Sequence, residues 1–167
     1  TFVTDTTSVS RIFSSRLSYR KGAMILHMLR YKLGDEDFFN GLKSYLSDPG
    51  LAFAYARTND LQRHLENSSG LELDEFFNDW FYGEGYPTYK VVWNQDTDDQ
   101  TMHILVNQEQ SHNSVSFFEM PLPVTIRGLN GESEKLRLEV SEDNQLFSLQ
   151  LNFKVSSIEV DPASHLI

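Results

Sequence analysis

Cysteine is absent from all 167 residues. Disulfides, thiolate metal sites and thiol nucleophiles are therefore excluded. The compartment stays open on this ground, because secreted and cytosolic proteins alike can lack cysteine. Long apolar runs are also missing. None approaches the roughly 20 residues that a membrane-spanning helix needs, so no membrane partner is expected, and no signal peptide is visible at the start. Positive charge is scarce. The 14 Lys and Arg face 24 Asp and Glu, a formal net charge of −10. Such a surface repels phosphate backbones, which argues against nucleic acid as a partner.

What is present suits one domain or two small ones. The chain is 40% hydrophobic and 23% charged, an ordinary globular balance with enough apolar material for a real core. It begins at Thr1-Phe2-Val3 without a methionine. The expectation is a piece of a longer polypeptide whose upstream signals are out of view.

The hydrophobic period changes near residue 86. Before it, apolar residues recur at helical spacing. Residues 1–17 are rich in Thr and Ser and read as loop, with a short turn around Arg11-Ile12-Phe13. Ser18 is the expected N-cap of a helix from Tyr19 to Leu33 that ends at Gly34. Its apolar set (Ala23, Met24, Ile25, Leu26, Met28, Leu29, Leu33) covers more than half the circumference, which predicts burial between neighbours. A second helix is expected over about 36–47 behind Asp35. A third runs over about 60–68, capped by Thr58 or Asn59, and an aromatic fourth over about 73–82. After Tyr86 the period is two, in runs such as Met102/Ile104/Val106 and Phe118/Met120/Leu122/Val124/Ile126. Asp96-Thr97-Asp98-Asp99, Asn130-Gly131 and Glu142-Asp143-Asn144 supply turns between runs. The expected fold is α+β: a small antiparallel helical bundle followed by an antiparallel β-sandwich. Pro121 and Pro123 cannot donate ladder hydrogen bonds, so their strand is expected at an edge or with those positions turned outward.

Chemical motifs are few. The histidines (His27, His64, His103, His112, His165) form no HExxH and no HxH, so this chain is expected to hold no metal by itself. There is no GxSxG, phosphate loop or GxGxxG. Asp74, Glu75 and Asp79 read as solvated helical acids. One segment stands out, Leu17-Ser18-Tyr19-Arg20-Lys21-Gly22-Ala23-Met24. A Tyr sits at the start of an apolar helix, with Gly22 three residues on. The glycine costs roughly 0.5–1 kcal/mol relative to Ala inside a helix, which suggests a close neighbour there. A phenol in this place could donate to a developing oxyanion. On pattern alone, a packed Tyr with a satisfied hydroxyl is the plainer reading.

The segment from Ser18 to Leu29 resembles the Y-x-K-G-A helix of the aminopeptidase N family, the gluzincin zinc metallopeptidases. Leu33-Gly34-Asp35-Glu36-Asp37-Phe38-Phe39 with Gly41-Leu42 and Tyr45-Leu46 is similar to the family's LGDExFxxGLxxYL. Thr58-Asn59-Asp60-Leu61, then Asp74-Glu75-Phe76-Phe77 with Trp80 and Gly85-Tyr86-Pro87, follow in register. In the second half, Gln108-Glu109-Gln110, Met120-Pro121-Leu122 and Val160-Asp161-Pro162 resemble the family's third domain. The likeness runs from Arg11 over nearly the whole remaining chain.

The resemblance implies residues 1–85 as the helical C-terminal part of a thermolysin-like catalytic domain and 86–167 as a β-sandwich domain. It implies hydrolysis of N-terminal residues from peptides, with Tyr19 as catalytic residue donating a hydrogen bond to the tetrahedral intermediate. Lys21 matches the motif but receives no role. Zinc is implied as cofactor of the full-length enzyme. Its ligands, the general base and the amine-binding loop would belong to an upstream catalytic segment, so the separate chain is expected to be inactive. The alternative is a non-catalytic scaffold or protein-binding module of the same descent. A sandwich that stacks carbohydrate on Tyr89 and Trp93 is a third reading. On the family's habits, export to a periplasmic or secreted location is favoured over the cytoplasm.

Overall fold

The computed structural model describes residues 3 and 5–166. Contacts divide the chain into two units, one running through Phe81 and one from Tyr82. The first is helical and the second is built of strands, so the class is α+β.

The helical unit opens with a single turn, α1 (Val9–Ile12), and then a π-helical turn over Ser15–Arg20. This turn runs directly into α2 (Lys21–Leu33). Next come α3 (Asp35–Ser47), α4 (Thr58–Ser69) and the short α5 (Asp74–Phe76), which widens into a second π turn, Phe77–Tyr82. Gly34 separates α2 from α3 at φ 83°, ψ 163°. That backbone region is open to glycine almost alone, and it differs from the left-handed cap expected there. Asp35 lies inside α3 rather than capping it. The third long helix begins at Thr58, and neither Thr58 nor Asn59 caps it. Instead Asp60 reaches back, its carboxylate accepting the Arg57 N–H at 2.8 Å.

Helix α2 buries Ile25, Met28, Leu29 and Leu33, one stripe at helical spacing. Ala23 and Leu26, on another side, are exposed. The expected burial all round is thus half met, because the neighbours present in this unit cover one face only. Helix α3 packs on both α2 and α4. The aromatic stretch at the unit's end is well buried. Phe76 meets Phe77 edge-on at 5.8 Å and Trp80 at 6.4 Å, offset geometries that aromatic quadrupoles favour.

The second unit holds six strands: β1 (Pro87–Gln95), β2 (Thr101–Gln110), β3 (Met120–Gly128), β4 (Ser133–Val140), β5 (Gln145–Gln150) and β6 (Val155–Val160). They form two antiparallel three-stranded sheets, ordered β1-β2-β5 and β4-β3-β6. One core lies between them. Met102, Ile104 and Val106 of β2 share it with Leu122, Val124 and Ile126 of β3 and with Leu138 and Val140 of β4. Tyr89 and Trp93, partly buried, pack against this core.

The proline strand departs from expectation. Strand β3 is the centre of its sheet, and Pro121 and Pro123 are buried rather than turned outward. The ladder tolerates them for a geometric reason. The Pro123 carbonyl accepts from Asp161 N–H at 2.7 Å, on the β6 side. A residue's N and C=O point to the same edge of a strand, so the missing donors also face that side. Pairing with β6 begins only at Val124. The prolines therefore occupy a local edge within a central strand.

Candidate active site around Tyr19

The helix start that carries Tyr19 differs from the sequence expectation. Ser14, not Ser18, is the cap: its Oγ accepts the Leu17 N–H at 3.2 Å. The Ser18 hydroxyl donates instead to the Arg11 carbonyl at 3.4 Å. Between them the backbone widens. Tyr19 N–H reaches the Ser14 carbonyl five residues back, at 3.3 Å, and Lys21 N–H reaches that of Arg16. Such π turns inside helices recur at functional sites. Nothing in the apolar period signals the wider turn, so the sequence alone could not supply it.

Tyr19 is 60% exposed despite its aromatic ring. Among the described residues, nothing hydrogen-bonds its hydroxyl. It borders a cavity of about 550 Å³ whose walls come from α2, the segment 56–58, α4 and the second π turn. Ile25, Leu29, Leu61 and Phe77 make the walls apolar, while Tyr19, Thr58 and Arg57 supply polar groups. Gly22 lies on this cavity, and a methyl group in place of its hydrogen would meet nothing within 4 Å. The close neighbour expected at Gly22 is therefore not found among the described residues.

A second constellation lies nearby in the same unit. The Ser44 hydroxyl stands 2.8 Å from His64 Nδ1, and His64 Nε2 stands 3.1 Å from Asp48 Oδ2. The chain of contacts has the composition of a nucleophilic triad. Its setting argues otherwise. Ser44 sits near the C-terminal end of α3, where backbone N–H groups are spent within the helix and cannot form an oxyanion hole. We read it as a clasp joining α3, α4 and the turn at Asp48. The Gly50 N–H, His64 and Arg63 together hold the Asp48 carboxyl below its usual range. The spacing of these three residues offers no sequence signal.

The other residues weighed from sequence do not converge. His103 meets Ser148, and His112 lies 3.7 Å from Glu84. Asp74 accepts from Gln62 at 2.6 Å. Among the described residues, no three His, Asp or Glu side chains could hold a metal ion together, and no helix is long and apolar enough to cross a membrane.

Comparison with known proteins agrees with this helical unit. The model of the peptidase family M1 domain matches residues 1–80. By this match residues 1–80 are a fragment of the peptidase family M1 domain. Relatives within the family extend the likeness into the sandwich. Probable aminopeptidase 2 of Sulfurisphaera tokodaii is 30% identical across 95% of this chain. Aminopeptidase N of Lactococcus lactis is 30% identical across 83% of it. The fold is matched by the crystal structure of Legionella pneumophila aminopeptidase A in complex with aspartic acid. That superposition has a TM-score of 0.69, covers 86% of this chain and 16% of the other, and shows 19% identity. The present chain spans 19% and 16% of the two relatives' own lengths.

Proposed function

We propose that this chain is the C-terminal part of a zinc aminopeptidase that removes N-terminal residues from peptides. In this reading the first unit completes the thermolysin-like catalytic domain, the second is its β-sandwich, and Tyr19 stabilises the oxyanion. One observation carries the role of Tyr19. Its phenol is exposed at the rim of an apolar cavity, on a widened helical turn, instead of being packed with its hydroxyl satisfied. A phenol donor beside apolar walls strengthens as charge develops on a carbonyl oxygen.

The residues of this chain do not fit zinc, because no ligand set converges among the described ones. No step is therefore derived through the ion. The ligands, the general base and the groups that hold the substrate amine are proposed to lie in an upstream segment. The separate chain would then bind at most part of the substrate and turn nothing over.

The test uses the full-length protein. Tyr19→Phe should retain zinc and fold while losing roughly a hundred- to thousandfold in kcat/KM on an aminoacyl anilide, the value of one oxyanion donor. Activity within a fewfold of wild type would reduce Tyr19 to packing. An unmutated full-length protein with no activity would favour the scaffold reading.

A further inference from the structure

We propose that Arg57 is a specificity-determining residue that recognises a carboxylate on the peptide substrate, an inference that rests on the aminopeptidase reading above. Arg57 is the one charged side chain among the residues lining the Tyr19 cavity. It is exposed, and among the described residues no carboxylate pairs with its guanidinium. The other arginines of known pairing contrast with it. Arg30 binds Asp35, Arg63 lies near Asp48 and Asp60, Arg127 meets Glu159 and Arg137 meets Glu139. What sets Arg57 apart is its place on the wall of an apolar cavity.

The local geometry explains how the charge stays available. The natural partner is Asp60, three residues along, since residues so spaced face each other on a helix. Asp60 is occupied: one oxygen accepts the Arg57 backbone N–H at 2.8 Å and the other lies 3.6 Å from Arg63. The arginine is thereby anchored by its main chain while its side chain is released. Thr58, the first residue of the twelve-residue α4, also lines the cavity. The start of that helix adds to the positive potential.

The chemistry narrows the ligand. A planar guanidinium fork matches a carboxylate with two parallel hydrogen bonds. Apolar walls from Leu29, Leu61 and Phe77 raise the worth of that pair by lowering the local dielectric. The chain's net charge of −10 works against acidic peptides at long range. Preference must then come from contact at Arg57, and not from steering. Two sources supply this carboxylate, an acidic side chain or the peptide's C-terminus, and both are presented to the enzyme in the same backbone.

The experiment compares matched peptide pairs on the full-length enzyme. One pair differs by Glu against Gln next to the cleaved bond, both amidated at the C-terminus. The other pair differs by a free against an amidated C-terminus. Arg57→Gln should lower kcat/KM about tenfold or more on the carboxylate member of one pair. The neutral member should change by less than about twofold. Arg57→Lys, which keeps the charge and loses the fork, should recover part of the loss. The pair that responds identifies the source of the carboxylate. Equal losses on both members of each pair, or no loss on any, would overturn the role of Arg57 while leaving the aminopeptidase reading standing. A wild-type enzyme that cleaves none of the four peptides would overturn both.

Discussion

The side chain of Gln108 holds both backbone polar groups of Phe118. Its Nε2 donates to the Phe118 carbonyl at 3.0 Å, and its Oε1 accepts the Phe118 N–H at 2.8 Å. Both residues are buried, with Gln108 at 7% exposure. Strand β2 thus carries a polar residue in the inward register of Met102, Ile104 and Val106, because the loop leading into β3 needs a partner there. Gln108→Leu would remove these two hydrogen bonds to buried backbone groups. Each costs about 1–3 kcal/mol, so a loss of about 2–6 kcal/mol is expected in urea unfolding of the chain. A variant as stable as wild type would show that water replaces the side chain.

Two helical glycines should respond to alanine with opposite signs. A methyl group at Gly41 would stand 2.8 Å from Leu65 Cδ2 and 3.1 Å from Leu65 Cα, where α3 lies against α4. Overpacking of this kind costs about 1–3 kcal/mol, offset by about 0.5–1 from the stiffer unfolded chain. Gly41→Ala should therefore destabilise, by up to about 2.5 kcal/mol. At Gly22 a methyl would meet nothing within 4 Å, so Gly22→Ala should stabilise this chain by about 0.5–1 kcal/mol. Thermal or urea midpoints of the two variants, measured side by side, decide the point. Shifts in the same direction would contradict the packing described.

These two positions also show where reading the sequence stops. The strands are legible wherever one face is buried, as in β2, because alternation is then the whole signal. Strand β3 also alternates in apolar character, yet both its faces are buried, and its prolines mislead for that reason. Gly22 and Gly41 look alike in sequence, and only the approach of α4 separates them. The cap of the helix start at Tyr19 lies four residues before the expected one, because Ser14 and Ser18 are equally good caps by composition. The π turn between them leaves no mark on the apolar period. Arg57 has no motif at all. It becomes a candidate only when the segment after α3 brings it to the wall of α2.

The clasp at Asp48 should make the fold sensitive to acid. Its carboxyl is held below the ordinary value, first by the Gly50 N–H and then by His64 and Arg63. A lowered folded value means that the unfolded chain binds the proton more readily. The stability it adds is complete above the unfolded value of about 3.9 and is lost as pH falls through the lower folded value. Asp48→Asn removes the titration while keeping an acceptor for Gly50. The variant should be less stable at neutral pH, and the gap to wild type should close between roughly pH 5 and 2. A gap that stays constant across that window would exclude Asp48 as a source of acid sensitivity.

At the alkaline end the informative group is Tyr89. It packs against the sandwich core, and burial pushes its phenol well above the ordinary range. The sign follows from the neutral form being the one favoured in the fold. Below the unfolded value of roughly 10, both states hold the proton and stability is unaffected. As pH rises past that value the unfolded chain releases its proton while the folded one retains it, so stability drains toward the raised folded value. An absorbance titration of phenolate should therefore show a late step for Tyr89 that coincides with loss of the near-UV circular dichroism of the core. Tyr89→Phe should remove that late amplitude and flatten the decline in stability above about pH 10. A Tyr89 signal that titrates near the ordinary phenol value of roughly 10, in a chain still folded, would mean that water reaches this end of the sandwich core.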